Sequence, residues 1–97
     1  MSFHCDTIEQ YEALTKNPCY KSRISSLILK FDMPLGYQIN LIDYPKLKNV
    51  YILSKNISKC KVIFGPTNAT LLHVNDNITS HIEYAEYADP VVILDYS

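Results

Sequence analysis

Residues 24–97 carry apolar side chains at alternate positions in short runs rich in Ile, Val, Leu and Tyr, broken by Pro, Asn, Asp and Gly. That alternation is the pattern of strands with one buried face. The runs predict strands at Ser25 to Phe31, Tyr37 to Ile42, Asn49 to Ser54, Cys60 to Phe64, Thr70 to Asn75, Ile78 to Glu86 and Val91 to Tyr96. In the fourth, Cys60, Val62 and Phe64 alternate with Lys59 and Lys61. In the sixth, Ile78, Ser80, Ile82 and Tyr84 oppose Thr79, His81, Glu83 and Ala85. Each pattern assigns one set to a core and the other to solvent.

Residues 6–16, DTIEQYEALTK, follow a different rhythm. Ile8, Tyr11 and Leu14 recur at helical spacing, Asp6 can cap the first turn with Glu9 placed as in a capping box, and Lys16 suits the last turn. Pro18 prevents continuation. So short a helix must dock on the rest of the chain to persist. The expected fold is α+β, mostly β: a single domain over residues 1–97, with one N-terminal helix packed on a small antiparallel sheet or sandwich. The alternative is a short leucine-rich-like β solenoid.

That alternative comes from spacing. The segments Ser26-Leu-Ile-Leu-Lys-Phe31, Asn49-Val-Tyr-Ile-Leu-Ser54, Thr70-Leu-Leu-His-Val-Asn75 and Val91-Val-Ile-Leu-Asp-Tyr96 begin at nearly equal intervals, and the last three follow Pro45, Pro66 and Pro90. A near-constant period of a little over twenty residues is the signature of stacked repeats. Tyr44-Pro-Lys-Leu-Lys-Asn-Val-Tyr-Ile-Leu53 and Gly65-Pro-Thr-Asn-Ala-Thr-Leu-Leu-His-Val74 resemble the short leucine-rich-type FNIP repeats of amoebae and giant viruses, without their Phe-Asn-x-Pro element. The resemblance covers residues 24–97. It implies a stacked solenoid used for protein binding, with no catalytic residue to carry over.

Composition narrows the function more by exclusion than by assertion. Only Gly36 and Gly65 are glycines, so no loop of bare backbone amides can cradle a phosphate. Soft metal ligands are present as His4, Cys5, Cys19, Cys60, His73 and His81, but at no spacing that pre-forms a zinc site. His81-Ile-Glu83 matches the His-x-Glu fragment of zinc deaminases without the downstream Pro-Cys-x-x-Cys. There is no Gly-x-Ser-x-Gly elbow, and the carboxylates Glu83 and Glu86, or Asp76 and Asp89, read as solvated charge. The expectation is therefore no enzyme, no metal and no cofactor.

The three cysteines, odd in number and widely spaced, read as reduced thiols of a cytoplasmic protein. No signal-like leader and no membrane-length apolar run accompany them. Sequons at Asn56, Asn68 and Asn77 then read as chance in an Asn-rich chain. The excess of Ile, Asn, Lys, Tyr and Phe over Gly, Ala and Arg is that of an AT-rich genome, such as many viruses, phages, amoebae or intracellular parasites have.

Charge is segregated along the chain. All nine basic residues lie between Lys16 and Lys61, with only Asp32 and Asp43 against them. Residues 62–97 hold Asp76, Glu83, Glu86, Asp89 and Asp95 and no basic residue. The two halves either interleave in the fold or form separate faces. In the second case Lys46, Lys48, Lys55, Lys59 and Lys61 make a basic face for an acidic partner, and Tyr84, Tyr87 and Tyr96 make an aromatic contact surface among carboxylates. The expected partner is another protein, or a second copy of this chain in a homodimer paired through an exposed Val91 to Leu94 edge. Nucleic acid held on the lysine face, with Tyr44, Tyr51 and Phe64 stacking on bases, is the alternative, against a pI of about 6.2 and a single Arg.

Overall fold

A computed structural model describes residues 1–54, 58–65, 70–74, 81–84 and 91–94, with Tyr84 and residues 91–94 described through their backbone. Along the chain come β1 (Ser2–Cys5), α1 (Ile8–Thr15), α2 (Pro18–Lys21), β2 (Ser26–Leu29), β3 (Tyr37–Leu41), β4 (Asn49–Ile52), β5 (Cys60–Phe64), β6 (Leu71–Val74), β7 (Ile82–Tyr84) and β8 (Val91–Leu94). All seven predicted strands are found within their predicted bounds; residues 75–80, 85–90 and 95–97 lie outside the described set.

The strands form a five-stranded sheet in the order β1-β2-β4-β6-β8 and a three-stranded sheet in the order β3-β5-β7. Every strand pairing among the described residues is parallel, which corrects the antiparallel expectation. The reason lies in the connections. Links between successive strands from β2 onward are longer than the commonest hairpin loops, and each carries the chain to the opposite sheet. The next strand of the same sheet is then reached by a full coil and runs in the same direction.

Coil length sets the register. β2, β4, β6 and β8 start at Ser26, Asn49, Leu71 and Val91, and these four residues are mutual register partners. Tyr37, Cys60 and Ile82 line up likewise in the second sheet. Equivalent positions of successive coils therefore stack directly upon one another. Amides at the corners continue the ladders: Lys48 donates to the Ser25 carbonyl and Leu71 to that of Lys48, each at 2.8 Å.

Between the sheets lies the core. Leu27, Leu29, Val50, Ile52, Leu72 and Val74 point inward from one sheet; Ile39, Leu41, Cys60, Val62, Phe64 and Ile82 do so from the other. Phe31, Met33, Tyr44 and Leu47 fill the corners. Gly36, at φ +75°, adopts a turn that other residues resist, and its amide donates to the Lys59 carbonyl at 2.8 Å.

The first layer differs from the others because helix replaces the second strand. Thr7, not Asp6, caps α1: its hydroxyl accepts from the Gln10 amide at 3.2 Å, while the Gln10 side chain accepts from the Asp6 amide at 2.6 Å. The cap is thus one residue later than expected, in the register that buries Tyr11 and Leu14, and the returning side-chain bond reaches the amide before the cap. The Tyr11 hydroxyl accepts from the Asn40 amide at 3.1 Å, closing part of the outer edge of β3. Its ring packs in a cluster with Phe31 and Tyr37. Pro18 does end α1 but also begins α2, where Asn17 caps the Tyr20 amide at 3.3 Å. The single expected helix is therefore two.

Candidate functional site: the outward face of the five-stranded sheet

Alternation that sends Leu27, Val50 and Leu72 inward sends their neighbours outward, and parallel register collects those neighbours into rows. One row is Ser2, Ser26, Asn49, Leu71 and the Val91 position. The next is His4, Ile28, Tyr51, His73 and the Ile93 position. Adjacent strands lie about 4.8 Å apart, so flat side chains at matching positions stack face to face. Tyr51 and His73 do so, with ring centroids 4.1 Å apart and planes 13° from parallel.

The imidazole is also held from the side. His73 Nε2 lies 3.0 Å from Asn49 Oδ1; an amide oxygen can only accept, so the imidazole donates this bond. Asn49, Tyr51, Leu71 and His73 are each partly exposed, and Ile28 is 9% exposed between His4 and Tyr51 in the row. The result is a largely uncharged platform of ring faces and apolar edges with a few hydrogen-bonding atoms. Such a surface can stack, exclude water and accept or donate a hydrogen bond. Sequence reasoning named Tyr51 for stacking and His73 as a metal ligand, but did not join them; their equivalent places in the repeat were the available signal.

The lysines are distributed otherwise. Lys46 and Lys48 are exposed on the link into β4 of the large sheet, whereas Lys59 and Lys61 are exposed at the start of β5 in the small one. Lys61 sits in register between Gln38 and Glu83, so here the basic and acidic segments interleave. With Leu35 and Gly36, these residues line a cleft of about 320 Å³. Tyr84 is a β7 position, and Val91–Leu94 pairs with β6 as the last strand of the large sheet among the described residues. Lys55, Tyr87 and Tyr96 lie outside the described residues, as do the sequon asparagines Asn56, Asn68 and Asn77 and the carboxylates Asp76, Glu86, Asp89 and Asp95. Of the residues proposed to stack on bases, Tyr44 and Phe64 are buried in the core.

The potential ligands and nucleophiles are scattered. His4 faces solvent while Cys5, its neighbour on β1, is fully buried. No group of three or more His, Cys, Asp or Glu side chains among the described residues could hold a metal ion, and no helix among them is long and apolar enough to cross a membrane. Burial pushes the Cys5 thiol up to about 11, with the charge of Asp6 adding to the effect, and burial alone does the same to Cys60. Cys19 is exposed on α2.

A pH dependence follows from the two buried thiols. Unfolded thiols ionise near the ordinary value of 9.0, whereas the folded chain holds Cys5 and Cys60 protonated to about pH 11. Their contribution to stability is complete below pH 9 and is lost progressively as pH rises toward 11, at about 1.4 kcal/mol per thiol per pH unit. Denaturant midpoints measured from pH 7 to 11 are expected to be flat and then to fall. A thiol reagent applied to the native protein at pH 8 is expected to modify Cys19 rapidly and the other two only on unfolding.

No protein-family model matches this chain, and neither the curated proteins nor the solved structures contain a match to it.

Proposed function

We propose that this chain is a non-enzymatic protein-interaction module that binds a partner protein across the outward face of its five-stranded sheet. The observation that carries the reading is the Tyr51–His73 stack, 4.1 Å between centroids and anchored through Asn49. Rigid aromatic surface with a polar atom at its rim favours protein contacts, because it brings large area at small cost in rotamer entropy. The near-constant coil length supports the solenoid resemblance, and with it protein binding. A nucleic-acid role gains less support, since the lysines are divided between two sheets and Lys61 stands beside Glu83.

Affinity purification of the tagged chain from cells that naturally express it tests the proposal. A protein partner is expected to co-purify, to survive nuclease, and to bind the Tyr51→Ala/His73→Ala variant at least about tenfold more weakly. Lys61→Ala is expected to leave it unchanged. A partner released by nuclease, or lost with Lys61→Ala and retained by the double variant, would refute the reading.

A further inference from the structure

The first layer of the coil leaves a strand edge free beside a groove. Within the large sheet, β1 pairs with β2 alone among the described residues. The Met1 carbonyl accepts from Ser25 and the Cys5 carbonyl from Lys30, each at 2.9 Å. Met1, Phe3 and Cys5 therefore direct their backbone groups at β2, and by the strand's alternation Ser2 and His4 direct an amide and a carbonyl each to the opposite side. No other strand or side chain among the described residues takes those four groups. The edge is closed only beyond Cys5, where Gln10 accepts from the Asp6 amide. Ser2-Phe-His-Cys5 has neither the lysine nor the proline that commonly blunts an exposed edge.

A groove of about 340 Å³ adjoins this strand, lined by Phe3, His4, Ala13, Leu14 and Tyr20 with the neutral amides of Gln10 and Asn17. Tyr20 is 47% exposed and tilts against Phe3 with centroids 6.1 Å apart. No carboxylate, ammonium or guanidinium lines the groove, so an uncharged side chain is its complement. A row of unpaired strand amides and carbonyls is complemented by another extended backbone. We propose that the β1 edge and this groove form a β-augmentation site for an extended segment of a partner protein, which pairs with Ser2 and His4 and places an apolar side chain between Phe3, Leu14 and Tyr20. The site shares His4 with the outward row but uses neither Tyr51 nor His73, and it does not depend on their role.

Panning the full chain against a random dodecapeptide library supplies probes, which are then synthesised with a fluorophore and titrated. The enriched peptides are expected to carry an apolar residue flanked by extended-chain formers and to lose binding when every second peptide nitrogen is methylated. They are expected to slow amide exchange at Ser2 and His4 by about tenfold or more. Ala13→Arg, at an exposed helix position beside the groove, should weaken them by about tenfold, and Tyr51→Ala/His73→Ala should not weaken them. The site is refuted by absence of enrichment, by peptides whose affinity survives Ala13→Arg with Ser2 and His4 exchange unaltered, or by protein-concentration-dependent protection of those two amides without peptide. The last result would make a second copy the occupant.

Discussion

Leu72→Ala is expected to destabilise the protein by about 3 kcal/mol, and Leu71→Ala by less than about 1 kcal/mol, although the two leucines are neighbours on β6. Leu72 is fully buried and points into the space between the sheets, on a strand flanked by β4 and β8. Truncating it removes apolar burial and leaves a cavity that neighbours held in parallel register cannot collapse to fill. Leu71 points outward, partly exposed, in the row of Ser26 and Asn49. Its loss costs only a fraction of that burial. Urea unfolding of the two variants measures the difference directly. Equal effects would mean that β6 does not present its faces as described, since a one-residue slip exchanges them.

Gly65→Ala is expected to cost about 1 to 3 kcal/mol, a range typical of forced overpacking. A Cβ at Gly65 would lie 2.9 Å from the Ile42 carbonyl oxygen and 3.1 Å from its Cα. Both are main-chain atoms, so no side-chain rotation relieves the contact. These residues immediately follow β5 and β3, whose strands pair in register from Tyr37↔Cys60 to Leu41↔Phe64. The close approach is therefore where two successive coils leave the small sheet together. Gly36 is a contrasting case: a Cβ there meets nothing within 4 Å, and its substitution is opposed by the positive φ alone, at about 1 kcal/mol. A Gly65→Ala variant with unchanged thermal midpoint would show that the coils can separate at this corner at little cost.

Gly65 also illustrates how unevenly the molecule could be read. As the residue before Pro66 it marked a break between strands, but its role in coil spacing depends on Ile42, a full coil earlier in the chain. The same limit applied to the platform. Tyr51 and His73 each stood out in composition, yet their stacking needs β4 and β6 to be adjacent and parallel. β1 was missed because Ser2-Phe-His-Cys5 has one large apolar residue and no run; it is a strand through its pairing with β2.

Inside and outside were determined along the chain itself. Alternation of Cys60, Val62 and Phe64 with Lys59 and Lys61, and the helical spacing of Tyr11 and Leu14, oblige the chain to bury those side chains whatever the topology. The coil length was legible too, in segments that begin at nearly equal intervals. Strand direction was not. Parallel and antiparallel strands have the same two-residue alternation, so side-chain pattern cannot distinguish them; the choice is made where the links carry each strand to the opposite sheet. That choice turned expected hairpins into coils, aligned Tyr51 with His73, divided the lysines between two sheets, and left the β1 edge open beside its groove.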